Sequence, residues 1–480
     1  MSGRVHPGRV WRHGDSRAVR GPVLYWMHRE HRAHDNWALL HAIGEAKAAG
    51  APLAVVWCLS PRFLDAAYRQ FHFLLRGMRG TAETLREHGI PFFLLQGDPA
   101  DEVPRFAATH GTGLVVTDFD VLRLKRAWLG QVREALACPL HEVDGRNVVP
   151  CRMASDKREY AARTLRPKIH RLLPEYLDPF PSLATEASGV AAWKAPVPDA
   201  MAAPDWDALL AAHPADRSVP ALTGPDAPVP GEEGARRTLE TFLTSRIHRY
   251  EKRNDPNADA VSGLSPYLHF GMMAAQRVVQ RVTASTAGSA DARASFIEEL
   301  VVRRELADNF CLHTPDYDAV TCFPAWAQGT LDRHRDDPRP HLYDEAALEK
   351  ARTADPLWNA AQTQLMRCGV IHGYMRMYWA KQLLLWTPTP EEAMRIAVRQ
   401  NDRWALDGRD SNGYAGMAWS LGGVHDRPWG ERPVQGTIRC MTYNGARGKF
   451  DVAAYIARME SLRGGGQARL PLESAEVMPS

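Results

Sequence analysis

No apolar run in this 480-residue sequence approaches the ~20 residues that a membrane-spanning helix needs. The first twenty residues, MSGRVHPGRVWRHGDSRAVR, lack the apolar stretch of a secretory signal, so 1–20 reads as a flexible, arginine-rich arm. Cysteine is scarce. The seven residues at 58, 138, 151, 311, 322, 368 and 440 form no Cys-x-x-Cys pair. That scatter argues against a zinc site, an iron–sulfur cluster or a disulfide framework, and fits a reducing compartment. No metal is expected. Neither Gly-x-Gly-x-x-Gly after the first apolar run nor a P-loop signature is present, which argues against a standard dinucleotide or P-loop site. The charge excess is small, 59 Lys and Arg against 56 Asp and Glu, so any nucleic-acid contact must come from local patches.

Alternation dominates the first third of the chain. Short apolar runs at 23–27, 53–59, 92–96, 114–119 and 139–143 are separated by helical patterns at 36–49, 71–88, 100–110 and 124–136. This βαβα order predicts a doubly wound parallel sheet of about five strands over 21–150. Residues 151–234, rich in Pro, Ala and Asp beyond 180, read as an interdomain linker. From 235 to 462 helical periodicity prevails, with helices expected over 235–249, 292–311 and 344–353 among others, which predicts a larger all-α domain. The segment 463–480 reads as a disordered tail.

Four clusters in the helical region carry chemistry. Trp358, Trp379 and Trp386 surround the segment HGYMRMYWAK. Trp379 and Trp386 lie seven residues apart, about two helical turns or roughly 10 Å of rise, and so share a face. Such a stripe serves either as core or as a path for single electrons. Ser262 and Ser265 flank Pro266 in SGLSPYLHFG, a helix-start pattern that can also receive phosphate. Asn401, Asp402, Asp407, Arg409, Asp410 and Asn412 crowd NDRWALDGRDSNGYAG. Glu298, Glu299, Glu305 and Asp308 share a helix with Arg303 and Arg304, and periodicity does not say which carboxylate faces a cavity. Basic and aromatic residues interleave at 245–257 and 419–450, the mixture that neutralises phosphates and stacks on unpaired bases.

Long strings then resemble the photolyase/cryptochrome family, and within it the class II cyclobutane pyrimidine dimer photolyases. They are YWMHREHRAHDNWALLHA, SDKREYAARTLRPKIH, RRELADNFC, DPLWNAAQ, IHGYMRMYWAK, NDRWALDGRDSNGYAG and GGVHDRPWGERPV. The resemblance runs from Val23 to about Val452. It implies an antenna-binding α/β domain and an FAD-binding helical domain. It also implies a light-driven carbon–carbon lyase in which reduced FAD passes an electron to a flipped-out dimer. Residue by residue, it implies that Tyr250, Ser262, Leu264 and Ser265 hold FAD, with Arg376 paired to Asp407 beside the ring, Arg409 near it and Asp410 ordering the loop. Asn401 takes the place facing flavin N5, which other classes give to an asparagine aligned with Gly373. Glu299 is expected as a buried active-site carboxylate. Met377 and Trp419 are expected to contact the lesion, and Arg427 and Trp429 to fill the gap in the duplex. Arg246 and Arg439 are expected at DNA, and Trp379, Trp358 and Trp386 as an electron chain from flavin to surface.

The resemblance leaves the antenna open among a deazaflavin, which it slightly favours, a folate, a second flavin and an empty pocket. It implies UV-damaged DNA as partner and a monomeric state. The protein is expected in the cytoplasm with the nucleoid if prokaryotic, or in the nucleus or an organelle if eukaryotic. A signalling photoreceptor, a non-catalytic DNA-binding flavoprotein and a (6-4) photoproduct repair enzyme are the competing readings.

Overall fold

The computed structural model describes residues 5–14 and 19–463. The expected tail beyond 463 falls outside the described residues.

The sheet has six strands in the order β1-β6-β5-β2-β3-β4. These are β1 Val10–His13, β2 Val23–Trp26, β3 Leu53–Leu59, β4 Phe92–Gln96, β5 Leu114–Asp118 and β6 Leu140–Val143. β2 to β6 run parallel, as the apolar runs predict, and their connecting helices cover both faces. These helices are α1 Trp37–Ala49, α2 Tyr68–Glu87, α3 Pro99–Thr109 and α4 Arg123–Ala135. Local signals set their ends. Asn36 accepts the Leu39 N–H at the start of α1, and Asp98 with Pro99 opens α3. Strand order reverses between β2 and β5, which leaves a crevice at the strand C-termini.

The arm corrects one expectation. β1 pairs antiparallel with β6, so the sheet is mixed and the arm is fixed between 7 and 13. The cause is Arg9, 1% exposed. Its guanidinium donates to the carbonyls of Asp144, Asn147, Val148 and Tyr176 at 2.8–3.1 Å. An arginine run gives no hint that one member will be anchored by four carbonyls.

The linker is also more structured than expected. It contains a helix over Ala162–Tyr176 that buries Leu165 and Ile169, followed by three short helices up to residue 212. In the helical domain, the expected 235–249 helix ends at Thr241. The chain then passes through a wide turn, Phe242–Arg246, and a tight one, Ile247–Lys252. The expected helix over 344–353 shortens to Glu345–Glu349. The 292–311 helix runs over Ala290–His313 but widens by a π turn at Glu298–Arg303.

Buried charge joins the two domains. Asp410 bonds Arg29 (2.7 Å), Arg146 (3.1 Å) and His269 (3.1 Å), and Arg146 also grips Asp308 at 2.7 Å. Glu305 accepts the Val148 N–H at 2.6 Å. Two of the four candidate carboxylates, Glu305 and Asp308, are thereby assigned to holding the domains together.

Candidate active site

Asp402, near the end of the helix Pro390–Trp404, organises the loop that follows. Its carboxylate accepts the Arg409 backbone N–H (2.7 Å) and the Tyr414 hydroxyl (2.8 Å), and the Arg409 side chain returns to the carbonyls of Asp402, Ala405 and Leu406. Gly408 is needed here, because a Cβ would lie 2.6 Å from the Asn401 carbonyl oxygen. The folded loop delivers Asp407 to Arg376, whose guanidinium donates to both carboxylate oxygens at 2.8 and 3.0 Å. Asn401 lies against this loop at Gly408 and is 2% exposed. Its Nδ2 reaches Asp402 at 3.3 Å and its Oδ1 has no partner. A buried acceptor left unpaired costs about 1–3 kcal/mol, so the position suits a ligand carrying an N–H. Gly413 keeps space open next to it, 3.0 Å from Asn401 Nδ2 to where a Cβ would stand.

Two loop residues also reach the domain interface. Arg409 is sealed inside its own loop and lines the interdomain cleft. Asp410 orders the loop as expected, capping the next helix through the Asn412 N–H, and it also ties that loop to the sheet domain.

In the serine turn, Ser262 Oγ accepts the Leu264 N–H at 3.3 Å, and Gly263 takes φ +74. Ser265 and Pro266 open a five-residue helix. Tyr250 is buried edge-on to Phe296 and Phe242. Arg246, expected at DNA, ends the wide turn 242–246; its side chain is 16% exposed, held by Asp259 at 3.1 Å, and lies against Gly263. Beside this turn opens a basin of about 680 Å³ reaching residues 364–370.

The three indoles form one continuous contact. Trp379 stacks on Trp358 with centroids 6.1 Å apart and planes 11° apart, and Trp358 meets Trp386 edge-on at 5.6 Å. Each ring on the first pair is hydrogen-bonded, Trp379 Nε1 to Gln362 Oε1 (2.8 Å) and Trp358 Nε1 to the Trp379 carbonyl (2.9 Å). All three are buried, so the run itself does not reach solvent. Trp386 touches half-buried Tyr343 at 5.5 Å.

On the outer face, Trp419 and Met377 are half-buried and Arg427 and Trp429 exposed. Arg439 lies 4.0 Å from the Trp429 ring centroid and 5.7 Å from that of Trp419, and Arg427 is 4.8 Å from Trp429. Asp426 holds Arg439 by two bonds, 2.8 and 2.9 Å. Glu299 is not buried as expected. The π turn pushes its side chain outward to 44% exposure, 3.9 Å from Arg253. Glu298 pairs with Arg166 at 2.7 Å.

Sequence reasoning missed Lys381. It is 1% exposed, its Nζ is 4.3 Å from the Trp419 ring centroid, and it donates to the Ser420 carbonyl at 2.8 Å. Burial lowers its pKa to about 7. Its position one turn before Leu385 on an apolar helix was the available signal. Also missed were Asp402 and Tyr414 as the pair that closes the loop.

A second, narrow cleft, with about 80 Å³ of free volume, opens at the C-termini of β2 and β3. It is lined by Trp26, His28, Trp57, Lys125 and Trp128 from the sheet domain and by His269 and Phe270 from the helical domain.

The DNA photolyase family model matches residues 23–185. The deoxyribodipyrimidine photo-lyase of rice is 46% identical over 468 residues, 95% of this chain and 90% of that protein. That of Arabidopsis thaliana is 44% identical over 95% of this chain and 94% of that protein. The archaeal one of Methanothermobacter thermautotrophicus is 37% identical over 95% and 99%. Among solved structures, a class III photolyase from Agrobacterium tumefaciens aligns with TM-score 0.65 at 18% identity, covering 92% of this chain and 87% of that one. An archaeal photolyase from Sulfolobus tokodaii with two FAD molecules aligns with TM-score 0.66 at 15% identity, covering 91% and 89%. The same fold, and identity sustained across nearly the whole length, establish that this chain belongs to the DNA photolyase family.

Proposed function

We propose that this protein uses light to split cyclobutane pyrimidine dimers in DNA, as a class II photolyase. The observation that carries the reading is Asn401 Oδ1, a buried acceptor with no partner, packed against the loop that also presents Asp407 to Arg376. That arrangement fits the edge of a reduced flavin, with Ser262, Leu264, Ser265 and Tyr250 holding the remainder of FAD. Bound FAD supplies the photoexcited electron that the dimer accepts and then returns.

The chain's own residues do the rest. Asn401 would accept an N–H of the bound flavin, and Arg376, its charge balanced by Asp407, would hold its polar edge. Met377 and Trp419 pack on the flipped pyrimidines. Glu299, at the rim, hydrogen-bonds a pyrimidine once DNA covers it. Arg427 and Trp429 occupy the space the lesion leaves. A dimer stacks and pairs poorly, so flipping it costs less than flipping intact bases, and this difference selects it. Phosphate contacts supply affinity that falls with salt. The Trp379–Trp358–Trp386 run delivers electrons that return the cofactor to its active state. The cleft at β2 and β3 receives an antenna chromophore between Trp26, Trp57 and Trp128. The protein acts as a monomer, wherever the cell keeps its DNA.

The test is an oligonucleotide with one cyclobutane thymine dimer, incubated with reduced protein in blue light and in darkness. Restoration of thymines in light alone supports the reading. Intact dimers after illumination, with FAD and lesion binding retained, would overturn it. Reversal of (6-4) lesions with cyclobutane dimers left intact would overturn the substrate assignment.

A further inference from the structure

At the far edge of the sheet from β3 and β4, three ligating side chains converge. α1 places His41 and Glu45 four residues apart, on one helical face. β6 runs against that helix and contributes His141. His41 Nε2 lies 3.0 Å from His141 Nδ1 and 3.7 Å from Glu45 Oε1, and all three atoms fall within 4.8 Å of one another. Both rings are 8% exposed.

A hydrogen bond between two neutral imidazoles accounts for part of this. It uses one N–H and one lone pair, and it leaves Glu45 out. At 3.7 Å the carboxylate is beyond hydrogen-bond distance from His41, and Glu45 accepts no other hydrogen bond among the described residues. A buried, uncharged imidazole is the form that ligates a metal ion.

Two imidazoles and one carboxylate make a zinc donor set. Zinc bonds of about 2.0–2.2 Å put tetrahedral neighbours roughly 3.3 Å apart, and the observed 3.0 and 3.7 Å bracket that value. We propose that His41, Glu45 and His141 bind one divalent transition-metal ion, zinc foremost, with a fourth position open to water. The Glu45 side chain, 27% exposed, provides the entry path. Arg12, opposite His141 across the β1–β6 ladder, adds unfavourable positive potential, but it is exposed and free to turn to solvent. The ion would join α1 to β6, so its role is to stabilise the sheet domain, apart from the lesion chemistry.

The experiment uses the full-length, FAD-loaded protein after dialysis against a chelator. Zinc chloride is titrated by equilibrium dialysis with elemental analysis, and by calorimetry. One zinc per chain is expected, with thermal unfolding raised by roughly 3 °C at a hundredfold excess over Kd. His141→Gln should weaken binding about 100-fold and Glu45→Gln at least about 10-fold, with flavin absorbance unchanged in both. If His141→Gln fails to fold, Glu45→Gln decides, since its side chain is partly exposed. No stoichiometric uptake, or uptake that both variants retain, would overturn the proposal.

Discussion

Asp410→Asn is the perturbation whose size follows most directly from the structure. The carboxylate, 5% exposed, serves Arg29, Arg146 and His269 at once. Burial opposes its ionisation, but Arg146 and His269 outweigh burial and hold it well below the usual carboxylate range. After substitution Arg146 keeps Asp308 at 2.7 Å and stays compensated, whereas Arg29 retains only Asp120 at 3.5 Å. A buried cation losing its main partner costs about 3–5 kcal/mol. Glu391→Gln is the control. It breaks the Arg335 pair at 2.9 Å, whose side chains are 38% and 48% exposed, and should cost only ~0.2–1 kcal/mol. Because the folded-state pKa of Asp410 is depressed, its contribution is fully present above pH ~5. It disappears as pH falls below the unfolded value of ~3.9 toward the folded one. Urea unfolding at pH 7, followed by tryptophan and flavin fluorescence, measures both variants, and repetition under acid conditions measures the pH dependence. An Asp410→Asn loss below about 1 kcal/mol, or one equal to the control, would refute the view that this carboxylate holds the domains together.

Trp358→Phe removes the ring that touches both other indoles, so light-driven reduction of oxidised flavin by a thiol should stop, while chemically pre-reduced protein still repairs. Equal loss of both would show that the indoles have another role. Lys381→Met should flatten a pH dependence. With a folded pKa of about 7 against ~10.5 unfolded, the unfolded chain holds the extra proton between these values. Wild-type stability should therefore rise relative to the variant by about 3–5 kcal/mol from pH 6 to pH 10, as read by denaturant titration; parallel curves would contradict burial of the cation. Arg439→Ala should weaken lesion-DNA binding and reduce the log–log salt slope by about 0.9, and an unchanged slope would remove Arg439 from the phosphate contacts.

Parallel strands β2 to β6 and helices α1 to α4 were legible because hydrophobic period, Asn36 and Asp98 caps and strand length are local properties. The sequence strings also identified the family, because long matched segments carry far more information than any spacing. Contacts between distant segments stayed hidden. Arg9 looked like one more arginine of a loose arm until the fold brought four carbonyls to it. Glu299, Glu305 and Asp308 were equivalent on a helical wheel. Only a π turn and the packing of residues 146–148 against that helix turned one outward and committed two to the domain interface. His41 and His141 are separated by 100 positions, and no pattern along the chain relates them. Sequence by itself determined the elements, their order and the family, since these depend on neighbours along the chain. Tertiary structure alone decided which charges are buried, which carboxylate meets solvent and which rings touch, since these depend on what the fold brings within a few ångströms.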